Sequence, residues 1–194
     1  KPNTGKSTLA NRLTGTNASI VSNIAGTTRD VVEGKFTWKG NQFHVLDTAG
    51  IRRKARINEN IEYYSVNRAI KTLKHADIVF HMIDAQEGLA EQDKKIIAHA
   101  AAEGIGVIFV LNKWDTMDQD KKTFASVVKK QRILFGQMEY APVCALSALE
   151  GSGIAELLKT AVRLYEQLSR RTETSALNLA LNDWITASPP PQGR

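Results

Sequence analysis

Short apolar runs rich in β-branched residues alternate along the chain with amphipathic stretches of helical period. The apolar runs occupy residues 77–84, 105–112 and 141–147. The helical stretches lie near 91–103, 118–135 and 154–169. Strands that alternate with helices in this way form βαβ units, whose parallel sheet is buried on both faces. The pattern predicts an α/β domain with a doubly wound, mostly parallel sheet.

The first part of the chain has a different pattern. A short helix is predicted over 7–13, and the polar, aperiodic segment 14–30 predicts a loop. Alternating apolar residues on either side of a turn at 40–41 predict two strands of a hairpin. Apolar residues at helical spacing predict a further helix over 60–76.

The pattern changes again near the C-terminus. After a basic junction, a predicted helix carries Leu177, Leu181 and Trp184, and a run of prolines then ends it. No later apolar segment is present to cover this helix. We interpret 1–170 as one domain and 172–194 as the beginning of another, so we expect the sequence to be an excerpt from a longer chain.

Composition narrows the class of protein. The 194 residues are 42% hydrophobic and 24% charged, which is typical of globular domains. No apolar run approaches the roughly 18 residues that a membrane-spanning helix needs. The net charge of +6 indicates a basic protein, which favours a polyanionic partner such as nucleic acid. A charge that serves only solubility is the alternative.

Two residues with reactive side chains have a structural interpretation. Cys144 is the single cysteine and lies in an apolar run, so it is predicted to be a core residue of a protein from a reducing compartment, here the cytoplasm. His81 also lies inside an apolar run. We predict a core histidine whose hydrogen bonds are satisfied.

The chain begins inside a phosphate-binding pattern. Its first residues match the second half of G-x-x-x-x-G-K-S/T, whose first glycine would precede Lys1. The residues concerned are Asn3, Thr4, Gly5, Lys6, Ser7 and Thr8. Gly5 permits a turn whose N–H groups face phosphate oxygens, Lys6 would reach the β- and γ-phosphates, and the Ser7 hydroxyl would coordinate Mg²⁺. A plain helix start after a turn is the alternative.

Two further patterns are typical of sites that sense a γ-phosphate. Asp47, Thr48, Ala49 and Gly50 end the second strand of the hairpin. At that place a carboxylate can hold Mg²⁺ through water, and the N–H of Gly50 can meet the γ-phosphate. Thr28 lies in the long polar loop, from which a threonine can add a second Mg²⁺ ligand.

The segment N-K-W-D at 112–115 follows a predicted strand, at the edge where open α/β sheets bind ligands. A fixed carboxylate such as Asp115 accepts hydrogen bonds from guanine N1–H and from the exocyclic amine, and adenine offers neither. Asn112 would brace the loop and contact the ring. The stem of Lys113 would lie along the face of the base.

A last pattern follows the next strand, where we expect a backbone N–H at Ser147 or Ala148 to meet guanine O6, and Leu149 completes this part of the nucleotide site. Each pattern is weak alone. In this order, and spaced by βα units, they predict a site for GTP or GDP with Mg²⁺.

Together these segments resemble a known family. The segments NTGKST, AGTTRD, DTAGIRRK, NKWD and SAL are similar to the motifs of the translation-factor-related GTPases. More narrowly, DTAGIRRK, YYSVNRA, EGLAEQDKKI and NKWD resemble the second GTPase domain of the EngA/Der family. The resemblance covers essentially the whole chain. It implies a P-loop GTPase fold, GTP hydrolysis and a role in assembly of the large ribosomal subunit and its rRNA.

The same resemblance implies a domain order. An upstream GTPase domain would precede this chain, and 172–194 would form the first helix and proline-rich exit of a KH-like α/β domain. The first strand of the GTPase domain would then be missing before Lys1. We therefore expect a gap in the sheet and an incomplete phosphate cradle.

One position departs from the Ras-like pattern. Ile51 follows Gly50, where Ras-like enzymes carry a glutamine that orients water. The resemblance implies a potassium ion held by Asn3 as a substitute positive charge. The residues that we assign to catalysis are Lys6, Thr28, Gly50 and Asn3.

Two other functions stay open. A tRNA-modifying GTPase shares the AGTTRD segment and the dependence on potassium, but it would not continue into a KH-like helix. A nucleotide-gated RNA- or ribosome-binding module with negligible hydrolysis would fit the absent glutamine and the basic segment 51–56.

Overall fold

A computed structural model describes residues 3–15, 32–46, 73, 75–88, 91–118 and 120–189. The helices are α1 (Lys6–Gly15), α2 (Glu91–Ala102), α3 (Lys121–Leu134), α4 (Ile154–Leu168) and α5 (Thr174–Ala187). The strands are β1 (Val32–Trp38), β2 (Asn41–Leu46), β3 (Ile78–Asp84), β4 (Gly106–Asn112) and β5 (Val143–Ala145). Short 3-10 turns lie at Trp114–Thr116 and Gly136–Met138.

The described strands form two sheets. In the order β3-β4-β5, the first sheet is parallel, and its register pairs Asp84 with Asn112 at the carboxyl ends of β3 and β4. The second sheet is the antiparallel hairpin β1-β2, whose turn uses positive φ angles at Lys39 and Gly40. Because parallel neighbours need a crossover, α2 and α3 connect the strands of the first sheet. The predicted βαβ order is confirmed.

Two hydrophobic clusters cover the two faces of β4. Ile108 and Val110 belong to the cluster that includes residues of α1, α4 and the hairpin, whereas Phe109 and Leu111 belong to the cluster formed with α2 and α3. All side chains of β4 are buried, as expected for a central parallel strand. Helices on both faces of the sheet make this the doubly wound fold that the sequence predicts.

The last helix lies apart from both clusters. In α5, Leu177, Leu181 and Trp184 are 45%, 40% and 63% exposed. The predicted helix is confirmed, and its assignment to a second domain stays a prediction. Among the described residues, no helix combines the length and apolarity that a membrane span requires.

Cys144 and His81 are both buried, as predicted, but the predicted hydrogen bonds of His81 are not all present. Burial raises the pKa of the Cys144 thiol, as expected for a core cysteine. His81 is buried against the edge of the Phe109 ring, but its Nε2 has no hydrogen-bond partner among the described residues. Its hydrogen bonds were predicted to be satisfied, which is wrong. Asp93 Oδ1 on α2 lies 3.5 Å from Nε2, which is within reach of an ion pair but longer than an ordinary N–H···O hydrogen bond.

Several sequence predictions fall on other parts of the chain. Most of the polar loop 14–30 and nearly all of the helix predicted over 60–76 lie outside the described residues. The first helix is described in full. It ends at Gly15, two residues beyond the predicted end at residue 13.

Candidate nucleotide-binding site

Asn3, Thr4 and Gly5 form the turn that leads into α1. Asn3 and Gly5 have φ angles of 61° and 88°, so the backbone reverses within these residues. Gly5 is required for a second reason: a Cβ at this position would lie 2.0 Å from Asn112 Nδ2. The turn therefore approaches β4 closely. It precedes the first turn of α1, whose unpaired N–H groups attract anions.

Lys6 folds back over this turn. Its Nζ donates to Thr4 Oγ1 at 3.0 Å, and Thr4 is itself buried. Burial lowers the pKa of Lys6, although attraction to Asp93 acts in the opposite direction. Ser7 and Thr8 follow on the exposed side of α1. The ammonium of Lys6 thus lies beside the turn, where a phosphate would need it.

Asn112 ties the turn to the loop that follows β5. Its Nδ2 donates to the Thr4 carbonyl at 2.8 Å, and its Oδ1 accepts from the Ala148 N–H at 2.9 Å. The side chain is buried at the carboxyl end of β4, so both bonds form away from water. The bracing that the sequence predicts for Asn112 is therefore present between segments distant in the chain.

Lys113 is held by a partner on the neighbouring strand. Its backbone is left-handed, with φ 61°, and its Nζ lies 2.5 Å from Asp84 Oδ2. Burial opposes ionisation of Asp84, but hydrogen bonds from Lys113 and from the N–H groups of Gln86 and Glu87 hold its pKa below the usual value. The same ion pair raises the pKa of Lys113.

Asp115 lies in the 3-10 turn directly after β4. The Trp114 N–H donates to the Leu146 carbonyl at 3.1 Å, and the Trp114 ring packs edge-on against Phe124 at 5.8 Å. The Thr116 hydroxyl donates back to the Lys113 carbonyl at 2.7 Å. These contacts fix the backbone on both sides of the partly buried Asp115 carboxylate.

The loop after β5 is closed by its own hydrogen bonds. The Ser147 N–H donates to Ser152 O, the Gly151 N–H donates to Ser147 O, and the Ser147 hydroxyl accepts from the Glu150 N–H. Ser147 and Ala148 are buried, whereas Leu149 is 76% exposed. From α1, Arg12 donates to the carbonyls of Ala148 and Leu149.

The described site residues meet at the carboxyl edge of the parallel sheet. This edge brings together the predicted phosphate turn, the N-K-W-D segment and the loop after β5. Thr28 and the segment 47–50 lie outside the described residues, so Ser7 is the predicted Mg²⁺ ligand whose position is seen. Within the described ranges, no three His, Cys, Asp or Glu side chains cluster as a metal site.

Sequence reasoning missed Arg12 and Asp84. Arg12 matches no motif position, and its partners lie 136 and 137 residues away. Asp84 did carry a signal, because it ends the strand that pairs with the end of β4, and a carboxylate there faces the ligand edge.

A family model described as 50S ribosome-binding GTPase matches residues 1–113, which include the phosphate turn and Asn112. The chain belongs to this GTPase family. Among curated relatives, GTPase Der of Treponema pallidum is 47% identical over 192 residues, covering 99% of this chain and 42% of that protein. GTPase Der of Fusobacterium nucleatum is 45% identical over 194 residues, covering 98% of this chain and 44% of that protein. The chain spans less than half the length of these relatives.

Solved structures support the same GTPase fold. An Era variant of Aquifex aeolicus bound to GDP·AlF4⁻ is 34% identical and gives a TM-score of 0.63, covering 84% of this chain and 54% of that one. Era in complex with MgGDPNP and nucleotides 1506–1542 of 16S ribosomal RNA is also 34% identical, with the same coverage and a TM-score of 0.64. The predicted P-loop GTPase fold and the resemblance to Der are confirmed.

Proposed function

We propose that this chain is the GTP-binding and GTP-hydrolysing part of a molecular switch that acts in assembly of the large ribosomal subunit. The observation that carries the proposal is the pair of hydrogen bonds made by Asn112, which join the phosphate turn to the loop after β5. One buried side chain thereby sets the distance between a phosphate site and a base site. A ligand that occupies both is a nucleotide.

At the phosphate end, we assign the residues by their chemistry. The turn at Gly5 and the start of α1 present N–H groups, and Lys6 supplies positive charge. Ser7, together with Thr28 and Asp47 from the sequence pattern, offers the hard oxygen donors that Mg²⁺ prefers. When bound, Mg²⁺ would neutralise negative charge between the β- and γ-phosphates. Gly50, after Thr48 and Ala49, would direct its N–H to the γ-phosphate.

At the base end, Asp115 would accept from guanine N1–H and the exocyclic amine. Asn112 and Lys113 would border the ring, and the backbone of residues 147–149 would face O6. A buried or partly buried acceptor pair of this kind rejects adenine because the carboxylate would be left without a donor.

The assignment of the base site is tested by Asp115→Asn in the full-length protein. An amide donor then faces the guanine donors, whereas xanthine offers a carbonyl at that edge. Loss of a charge-assisted hydrogen bond costs about 1.5–3 kcal/mol, so GDP affinity should fall roughly ten- to a hundredfold and XDP affinity should rise. Asp118→Asn changes an exposed aspartate nearby and serves as the control. Unchanged GDP titration in Asp115→Asn rules out the guanine assignment.

Hydrolysis is proposed to depend on potassium held at Asn3. This exposed residue lies in the phosphate turn with a left-handed backbone, and its amide oxygen is a neutral donor that suits a monovalent cation. A cation at that place would supply positive charge near the transferring phosphate, as an arginine finger does in other GTPases. We expect single-turnover hydrolysis to be about ten- to a hundredfold faster in potassium than in sodium.

Asn3→Ala should remove most of this difference between salts and leave GDP affinity nearly unchanged, because the charge matters mainly in the transition state. Asn11→Ala alters an exposed asparagine on α1 and is the matched control. Equal hydrolysis rates of the parent protein in potassium and in sodium would contradict the potassium proposal. An arginine would then be the source of the positive charge. Absence of any phosphate release, with GTP bound, would favour the non-hydrolysing module.

Two observations support a ribosomal partner, namely the family to which the chain belongs and the positive net charge of the chain. The family model describes 50S ribosome-binding GTPases, and the chain carries a net charge of +6. We propose that the switch acts in the cytoplasm on the large subunit and its rRNA, within a chain that also holds an upstream GTPase domain and a complete KH-like domain. Replacing Arg52 and Arg53 should flatten the salt dependence of subunit binding by nearly one log unit per lost phosphate contact. Identical slopes would exclude these arginines as contacts.

A further inference from the structure

Arg12 connects the phosphate helix α1 to the loop after β5. Its Nε donates to the Ala148 carbonyl at 3.1 Å, and its Nη2 donates to the carbonyl of Leu149. Two adjacent nitrogens of one guanidinium therefore bind two consecutive carbonyls of the loop. The planar fork of arginine suits this arrangement, and the ammonium of a lysine cannot reproduce it.

The loop is shaped to receive the guanidinium. Gly151 has φ +90°, and a Cβ at this position would lie 3.2 Å from Arg12 Nη1 and 3.3 Å from Cζ. The backbone angle is what requires glycine here, and the open space beside it lets the guanidinium lie close to the loop. Because the Gly151 N–H also closes the loop onto Ser147 O at 2.7 Å, the contact with Arg12 is part of the folded loop.

The contact determines where one N–H of the loop is directed. In a trans peptide the C=O and N–H groups point in opposite directions. When Arg12 holds the Ala148 carbonyl toward α1, the Leu149 N–H of the same peptide unit is directed away from α1. The neighbouring N–H groups are engaged: Ala148 donates to Asn112 Oδ1 and Glu150 donates to Ser147 Oγ. Among the described residues, the Leu149 N–H has no acceptor.

We propose that Arg12 is a positioning residue for base specificity, which orients the Leu149 N–H as the donor to the 6-oxo group of guanine. This inference rests on the proposed function and deepens it, because it assigns the recognition of one atom of the base to a residue outside the motifs. Asp115 would recognise the N1 and N2 edge. Arg12 would act through the backbone on O6 and touch no nucleotide itself.

The test compares three diphosphates in the full-length protein. GDP has all guanine groups, IDP lacks the exocyclic amine but keeps O6, and 6-thio-GDP keeps N1–H and the amine but replaces O6 by sulfur, a weak acceptor. Arg12→Met removes the donors while keeping an extended side chain. It should reduce the preference for GDP over 6-thio-GDP about fivefold, the effect of one neutral hydrogen bond, and leave the preference for GDP over IDP unchanged.

Two controls accompany this variant. Arg132→Met replaces an exposed arginine on α3 and should change neither ratio. Arg12→Lys can reach one carbonyl and should recover part of the GDP preference. If Arg12→Met does not fold, Arg12→Lys carries the test, because a ratio of GDP to 6-thio-GDP affinity equal to that of the parent would overturn the proposal.

The outcomes separate this inference from the proposed function. If Arg12→Met weakens all three diphosphates by one factor, or changes none, Arg12 is not a positioning residue for O6 and the inference is overturned. If the parent protein binds GDP but does not distinguish it from 6-thio-GDP, the inference also fails while the proposed function stands. If the parent binds none of the diphosphates, the proposed function fails.

Discussion

At the scale of single residues, Asn112 has the most consequences. Its amide uses a donor and an acceptor at once, and Gly5 is the residue that lets the phosphate turn approach it. The carboxylate of aspartate, which has the same size, offers acceptors only and could not donate to the Thr4 carbonyl. The identity of this residue is therefore fixed by geometry as well as by any contact with a base.

We predict that Asn112→Ala destabilises the protein even without nucleotide. Two buried backbone groups, the Thr4 carbonyl and the Ala148 N–H, lose their partner, and an unsatisfied buried group costs about 1–3 kcal/mol. Urea unfolding should show a free-energy loss of roughly 2–4 kcal/mol. Asn182→Ala removes an exposed asparagine of α5 and should leave the midpoint unchanged. Equal midpoints for both variants would show that the two bonds do not contribute to folding.

At the scale of elements, the ion pair of Asp84 and Lys113 links β3 to the segment after β4. Asp84 is paired with Asn112 in the sheet register, so the ion pair extends the ladder by a side-chain contact at the ligand edge. Lys113 adopts its left-handed backbone at this same point, where β4 ends. The contact holds the first residues of the N-K-W-D segment against the sheet.

This pair predicts a pH dependence of stability. The pKa of Asp84 is lowered in the folded protein, so the stability it adds is present above its unfolded pKa of about 3.9 and is lost as pH falls through the lower folded value. Asp84→Asn should therefore unfold at lower urea than the parent at pH 7, and the difference should shrink below about pH 4. Asp77→Asn, at an exposed position before β3, is the control. A difference that stays constant down to pH 3 would contradict the ionic origin.

Strand positions were predictable from the sequence where the residues that are buried are the same residues that pair in the sheet. The runs predicted at 77–84 and 105–112 correspond to Ile78–Asp84 and Gly106–Asn112. The second of these strands is buried throughout, the first is partly buried at 78–80 and buried from His81 onward, and each ends in a polar residue. The run at 141–147 was too long, because only Val143–Ala145 pairs. Pro142 and Leu146 each still share one backbone hydrogen bond with β4, whereas Ser147 is buried within the loop and bonds to Ser152. An apolar run reports burial, so it does not mark the residue at which the strand ends.

The site was predictable to the extent that its motifs are local. Gly5, Lys6, Asn112 and Asp115 stand at spacings that the chemistry of phosphate and guanine requires. Arg12 was not predictable, because an arginine on a helix carries no local sign of the carbonyls it will bind after the chain has folded.

At the scale of the whole molecule, the two clusters around β4 form the core and α5 lies outside them. We predict that replacing Leu177, Leu181 and Trp184 together by glutamine leaves the urea midpoint of the 194-residue chain unchanged, since all three are exposed. The matched control is Leu157→Ala in α4, whose side chain is fully buried and whose loss should cost about 2–5 kcal/mol. A lower midpoint for the α5 variant would show that this helix packs on the domain.

The long reach of Arg12 has a consequence for how the protein is made. Its contact with the Leu149 carbonyl spans 137 residues, and Asn112 reaches back 108 residues to Thr4. Contacts of such separation form late, after the intervening chain has been ordered. During synthesis, the phosphate turn therefore emerges before Asn112, its partner at the end of β4, and Asn112 is joined to the base site only after the loop after β5 has left the ribosomal tunnel. We expect stalled nascent chains to retain labelled GDP only when that loop is outside the tunnel, and retention by chains ending near residue 113 would disprove this order of assembly.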